Sequence, residues 1–403
     1  MKAKSPENLQ SLIVQAIAQN GYNADLNHID VSEIEDMSGL FYQDPFSAHS
    51  EKYQEPNIYL NLFSGDMSCW DTSRVKTMAG MFRNSKYSGD ISRWDVRNVQ
   101  SMCAMFMDSA ATIDISSWIT LQLTDTSRMF EAAESIPDLS SWNMSKVIHM
   151  DEMYHKTTFN GNVVCWDTSK LETAVAMFAH SSFNGDVSNW NTERLVNARS
   201  MFAHSQFNSD VSRWNTHALR DASHMFSNSP FDHDISKWNT TSLKDVTSMF
   251  ESSSFQGDLS LWDVSGIERF IGMFRMTTYA GDLSKWSVPA SSKVFRMLGG
   301  NCTAKLPVDW SLARMNTLFP TPAVFKLWLT TSSFKGLAAW ENAQTEKCPL
   351  WFTKKEFDDL QFSRDALLQL GVDPKLVVAQ SWHQWYEATF NAPKPLAAFD
   401  FSM

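Results

Sequence analysis

Ten tryptophans recur at a constant 24-residue interval, from Trp70 to Trp286. A methionine–aromatic pair keeps the same period, from Met81-Phe82 to Met273-Phe274, and ends as Met297-Leu298. An aspartate stands four residues before each tryptophan, replaced once by Asn162. Ten units of equal length predict a repeat solenoid, because a single 24-residue unit leaves apolar faces that only a neighbouring unit can cover.

An eleventh, divergent unit precedes these ten. Residues Ile29–Phe41 align with Trp94–Phe106, so that Ile29 takes the tryptophan position. From Phe41 to Trp70 there is a 29-residue step, where the regular units have a 12-residue step. We therefore expect an insertion, at about residues 42–58, that forms a surface loop.

Each unit carries the apolar spacing of a leucine-rich repeat. In the stretch Asp90–Val99 the apolar residues are Ile91, Trp94, Val96 and Val99. This L-x-x-L-x-L spacing predicts a short parallel β-strand around Trp94 on one face of the solenoid. The apolar spacing from Val99 to Phe106 predicts a short helical or 3-10 segment behind it.

The chain divides into three parts on this reading. Residues 1–28 form an N-terminal helical cap, with Ser5 as N-cap and Gly21 as terminator. Residues 29–298 form the solenoid of eleven repeats. Residues 299–403 are predicted to be an α-helical C-terminal domain that caps the last coil, since Thr353–Glu356 is a capping box and Trp382–Phe390 is amphipathic.

The repeated phrase resembles that of the BspA-like leucine-rich-repeat family, bacterial proteins of surface or lipoprotein type. Met177-Phe178 and the stretch Phe183–Trp190 restate its pattern "MFxxSxFNGDISxW". The resemblance covers roughly residues 5–298. It implies the leucine-rich-repeat fold, together with adhesive or virulence-related roles.

Composition narrows the function classes. A net charge of −11 and a pI near 5.4 disfavour nucleic acid as a partner. There is no apolar run long enough for a membrane span. Five cysteines without a CxxC pair, and an N-terminus unlike a signal peptide, predict a cytoplasmic protein, or one secreted without a cleavable signal. With no known catalytic or phosphate-binding motif present, we expect no cofactor, no metal and no enzymatic activity in the repeats.

The repeated polar and aromatic columns are interpreted as structural. Each aspartate before a tryptophan is expected to cap a turn, with a calcium array as the alternative. The tryptophans are expected to fill the core, with carbohydrate stacking as the alternative. His180 and His204 share a column and are expected to be surface residues, since no third metal ligand recurs there.

Positions beside the tryptophans vary from unit to unit, as a binding face would. Ile119 and Leu121 are apolar where other units are polar, which predicts a hot spot beside Arg93 and Arg97. The predicted binding residues are Arg93, Asp95, Arg97, Ile119, Leu121, Asn189, Glu193, Arg213, His217 and Lys237.

These features predict a non-catalytic scaffold that binds a protein partner through the solenoid face, such as a bacterial effector or a host-binding protein. One alternative places an enzymatic or toxin-like activity in residues 301–403, where His383 and Asp358-Asp359 are the candidate polar groups. A second alternative is a surface glycan or host adhesin. The sequence leaves the oligomeric state open.

Overall fold

The computed structural model describes residues 1–42, 59–299, 302 and 304–307 of the chain. It begins with helix α1, Pro6–Asn20. Ser5 Oγ accepts a hydrogen bond from the backbone N–H of Asn8 at 3.2 Å, and Gly21 ends the helix with φ of 78°. The side chains that α1 buries are Leu9, Ile13, Ala16 and Ile17. The caps are those that the sequence predicts.

A 3-10 helix, Leu60–Leu62, is the other helix of the described residues. Beyond it, the units pair through isolated parallel bridges that recur seven residues after each tryptophan. The bridge positions are Thr77, Ser101, Asp125, His149, Thr173, Asn197, Asp221, Asp245, Arg269 and Lys293. From Thr77 to Lys293 the 24-residue units are therefore stacked in parallel register.

The parallel pairing lies seven residues after each tryptophan, whereas the sequence predicts it around the tryptophan itself. The strand expected around Trp94 is not formed, and the described part of the chain contains no extended strand. Asp90 and Asp95 each accept a bond from the backbone N–H two residues ahead, at 2.9 and 3.1 Å. Such closely spaced turns leave no run of extended residues long enough for a strand.

The segment after each bridge is a series of tight turns rather than the expected helix. Ala104 and Asp108 both have φ of 54°, in the left-handed region. The N–H of Phe106 donates to the carbonyl of Met129 in the next unit at 2.8 Å. Alternate backbone donors of this segment bond to the neighbouring unit in this way, whereas those between them, such as Met105 and Met107, bond three residues back within their own unit. No continuous series of helical bonds four residues back can form.

Columns of stacked rings form the core. The aromatic residues of the methionine–aromatic pairs stack from Phe41 to Phe274 with centroids 5.5–6.0 Å apart. Tryptophan rings stack at 6.0–6.5 Å. These aromatic residues and the paired methionines are almost fully buried. Burial of apolar area between units is what stabilises such a stack.

Tryptophan also joins the units by hydrogen bonds, which explains why it replaces leucine. The Nε1–H of Trp94 donates to the carbonyl of Met67 at 3.1 Å, and that of Trp118 to the carbonyl of Ile91 at 3.0 Å. All ten repeat tryptophans make this bond, at 2.9–3.1 Å. That carbonyl also accepts a backbone N–H within its own unit, as Ile91 does from Trp94, so the indole bond satisfies the buried Nε1–H and ties the two units together.

The divergent first unit stacks in the register that the sequence alignment predicts. Asp36 pairs with Thr77, and this 41-residue step is one 24-residue period lengthened by a 17-residue insertion. Phe41 stacks on Phe82 over the same interval. The expected insertion is thus present in this unit; residues 43–58 themselves lie outside the described ones.

Candidate functional site

The segment around each tryptophan holds the predicted binding residues, and its shape comes from two successive turns. In every regular unit the carboxylate or amide oxygen four residues before tryptophan accepts from the N–H two residues later, as the sequence predicts. In eight units the Asp or Asn directly after tryptophan makes the same kind of turn. Asn191 Oδ1, for example, accepts from Glu193 at 3.0 Å. The turns fix which side chains project outward.

These turn bonds also set the electrostatics of the aspartate column. The hydroxyl and backbone N–H of Ser284, together with Lys305, lower the pKa of Asp282 to about 2. The backbone N–H and hydroxyl of Ser188 lower the pKa of Asp186 in the same way. Because each carboxylate is engaged by its own turn, this column works as a set of turn caps rather than as a row of unengaged acids.

Nine of the ten predicted binding residues are exposed, and Asp95 is half-buried. They are distributed over several units rather than gathered at one point. Arg97 is engaged locally: its guanidinium contacts both carboxylate oxygens of Asp95, at 2.9 and 2.6 Å. His217 Nδ1 lies 3.0 Å from Asn215 Oδ1 in the same turn. The arginine beside the apolar pair is therefore part of an ion pair.

Ile119 and Leu121 form an apolar pair on this face. Their exposed fractions are 57% and 42%, whereas Thr120 between them is 1% exposed. Thr120 Oγ1 donates to the carbonyl of Asn143 in the next unit at 3.1 Å. Anchored in this way, the turn holds two apolar side chains in solvent on a rigid backbone.

His180 and His204 stack on each other, with ring centroids 4.3 Å apart. Both are exposed and adopt left-handed backbone conformations, φ 56° and 55°. Histidine is enriched among non-glycine residues in that conformation. Burial and then the charge of His204 lower the pKa of His180. A surface role, as predicted from the sequence, accounts for this pair.

The structure brings together a cluster that sequence reasoning missed. Glu131, Glu152 and His155 each place one potential ligand atom within 4.8 Å of the others. Glu131 and His155 share a column, one 24-residue period apart, and this was the signal that could have found them. The third member, Glu152, stands in another column. The C-terminal candidates His383 and Asp358-Asp359 lie outside the described residues.

The stacked repeats match a known protein family. The model of a family described as "Mycoplasma protein of unknown function, DUF285" matches residues 53–162, 133–230 and 206–310. The three matches overlap and together span more than half of the chain. The chain belongs to the DUF285 family. The DUF285 matches follow one another along the chain, and together they cover the stacked 24-residue units.

Neither curated proteins nor solved structures provide a match to this DUF285 chain. Among the residues that the structure describes, no helix has the length and apolar character needed to cross a bilayer.

Proposed function

We propose that the chain is a non-catalytic scaffold that binds a protein partner through the exposed turns beside its tryptophan column. The observation that carries this proposal is the pair Ile119 and Leu121. Their positions are polar in the neighbouring units, Asp95 and Arg97 before them and Asn143 and Ser145 after them. Two apolar side chains held in solvent by a fixed turn suit the centre of a protein interface.

The surroundings of this pair favour a partner surface with an apolar centre and a polar rim. The Asp95–Arg97 ion pair lies in the adjacent unit, at the same two column positions. Exposed ion pairs contribute little affinity on their own but influence orientation and association rate. Asn189, Glu193, Arg213, His217 and Lys237 extend the polar rim over later units.

The fold supports a scaffold role because a stack of bonded units is an extended and rigid surface. We propose that the stacked units form a solenoid. Their repeated sequence pattern resembles that of the BspA-like leucine-rich-repeat proteins. The partner would then meet the scaffold either inside the cell or after export without a cleavable signal.

The test compares full-length proteins in a pull-down read by quantitative mass spectrometry. The variant Ile119→Asn/Leu121→Ser copies the residues of the next unit, so the turn and the core are retained. We expect a partner to be retained by the wild type and reduced about tenfold or more in this variant, since hot-spot truncation costs about 2 kcal/mol or more.

The matched control is Asn239→Asp/Thr241→Ser, which makes the same kind of copy at the same positions of another unit. It should retain the partner. Loss of the partner in both variants, or in neither, would contradict an interface centred on Ile119 and Leu121. A partner lost only on substitution of His383 would move the function to the C-terminal region.

A further inference from the structure

Glu131, Glu152 and His155 form a compact group on adjacent units of the stack. His155 Nδ1 lies 3.2 Å from Glu131 Oε1 and 3.9 Å from Glu152 Oε2. All three ligand atoms lie within 4.8 Å of one another. A tetrahedral zinc ion with ligand bonds of about 2.0–2.2 Å separates its ligand atoms by roughly 3.4 Å. The three side chains are already close to that spacing.

The backbone holds this group in place. The N–H of Ala132 donates to the carbonyl of His155 at 2.8 Å, which fixes the units of Glu131 and His155 against each other. Glu152 has φ of 55°, one of the left-handed positions that recur through the stack. Ligands on a backbone that is bonded on both sides are held more precisely than ligands on a mobile loop.

One carboxylate oxygen in the group is buried without a hydrogen bond. Glu131 is 8% exposed, and its Oε2 is among the few buried side-chain atoms of the described residues with no hydrogen-bond partner. Arg128 Nε is 3.7 Å from this oxygen, beyond hydrogen-bond distance. A buried carboxylate oxygen without a donor is costly, and coordination to a cation is one of the ways in which proteins satisfy it.

At the equivalent position in a later unit, the glutamate is paired with a cationic side chain of the protein. Glu251 lies five periods after Glu131, and the residue at the position of His155 is Arg275. Arg275 donates to Glu251 Oε1 from Nε at 2.7 Å, and its Nη2 also contacts that oxygen. Gly272 stands at the position of Glu152. At that position the guanidinium of Arg275 pairs with the single carboxylate of Glu251. In the Glu131 group, by contrast, the imidazole of His155 lies near two carboxylates.

We propose that Glu131, Glu152 and His155 bind a divalent transition-metal ion of the zinc class. Imidazole and carboxylate are ligands that such ions accept, and two carboxylates balance the charge of the ion. His155 would coordinate through Nδ1, with its proton on Nε2. The ion would join two neighbouring units at the place where their side chains depart from the repeat. The site is independent of the protein-binding face proposed above.

Arg128 is the competing cation. Its Nη2 lies 2.9 Å from Glu152 Oε1, and its side chain is 49% exposed. Its positive charge opposes the binding of a metal ion at Glu152, and its half-exposed side chain has solvent to move into. Arg128 therefore lowers the metal affinity without blocking the site.

Isothermal titration of the full-length protein with zinc chloride, after alkylation of its cysteines, tests the site. Alkylation removes zinc binding by thiols such as the exposed Cys69 and Cys165. We expect one equivalent to bind to the wild type, and the affinity to fall about tenfold or more in Glu131→Gln. Glu251→Gln is the matched control and should bind zinc as the wild type does.

Arg128→Gln distinguishes a metal site from a purely structural ion-pair cluster. Removal of the competing cation should tighten zinc binding and raise the melting temperature in the presence of zinc. Failure of the wild type to bind one equivalent, equal binding by Glu131→Gln, or unchanged or weaker binding by Arg128→Gln would each overturn the proposal. Circular dichroism of every variant shows whether a lost signal reflects unfolding.

Discussion

Two stretches of the same stack differ in how closely they follow the repeat. We call residues 183–262 the regular segment and residues 111–162 the variant segment. In the regular segment a second aromatic column, Phe183 to Phe255, stacks against the first; Phe202 and Phe207, for example, have centroids 3.7 Å apart. In the variant segment Ala111 and Ser135 take the first two corresponding positions, and the second column resumes only at Phe159, whose ring centroid lies 5.9 Å from that of Phe183.

The variant segment also contains the two groups proposed to bind. Ile119 and Leu121 lie on its exposed turn, and the Glu131–Glu152–His155 group joins two of its units. Both segments share the same bridges and the same tryptophan bonds. The regular period maintains the backbone, and both proposed sites lie where the side chains depart from it.

The largest expected effect tests the second aromatic column. Phe207→Ala in the regular segment removes a fully buried ring and should lower the free energy of unfolding by about 3–5 kcal/mol. Chemical denaturation followed by tryptophan fluorescence measures it. An exposed position of the same turn, Asn208→Ala, should cost far less. A small loss for Phe207→Ala would mean that this column does not distinguish the segments.

The next effect concerns Tyr154, which replaces phenylalanine in the first aromatic column. Its hydroxyl is buried without a hydrogen-bond partner, and burial raises its pKa well above the usual range. Tyr154→Phe should therefore raise the free energy of unfolding by about 1–3 kcal/mol. The reciprocal change Phe202→Tyr should lower it. Destabilisation by Tyr154→Phe would indicate that the hydroxyl is satisfied in solution.

A smaller effect is expected on the stability of the two segments at acid pH. The N–H and hydroxyl of Ser188 lower the pKa of Asp186 from its ordinary 3.8, so the carboxylate stabilises the fold above that pH. This contribution is lost as the pH falls through the folded-state pKa. Asp186→Asn copies Asn162 and keeps the acceptor. It should leave the melting temperature near neutral pH almost unchanged and flatten its decline below about pH 4.

Asn162→Asp in the variant segment is the reciprocal test. It should make the acid decline steeper, because it adds a carboxylate whose pKa the turn lowers. An identical pH profile for wild type and both variants would show that the turn bonds do not favour the charged form.

The smallest effect on stability is expected at the exposed apolar pair. Ile119→Asn/Leu121→Ser should change the free energy of unfolding by less than about 0.5 kcal/mol, since both side chains project into solvent. Thermal melting checks it. A drop of several degrees would show that these side chains pack against the stack, and would remove the basis of the proposed interface.

Most of the core was predictable because a fixed period aligns residues without ambiguity. The burial of Trp94 and Phe106, the turn role of Asp90 and the 17-residue insertion after Phe41 all follow from counting along the chain. The strand at Trp94 and the helical or 3-10 segment at Val99–Phe106 were not formed, and turns take the place of both. Apolar spacing indicates which residues face inward, but the partner of each backbone donor depends on the neighbouring unit.

The sequence by itself determined the period, the register and the identity of the buried columns, because each of these depends only on the spacing of apolar side chains along the chain. The tertiary structure alone decided the path of the backbone between those positions and the meeting of Glu131, Glu152 and His155. Glu152 stands in a different column from Glu131 and His155, and it meets them from a left-handed position with φ of 55°. The cluster therefore depends on the geometry of the stacked units as well as on the pattern of the repeat.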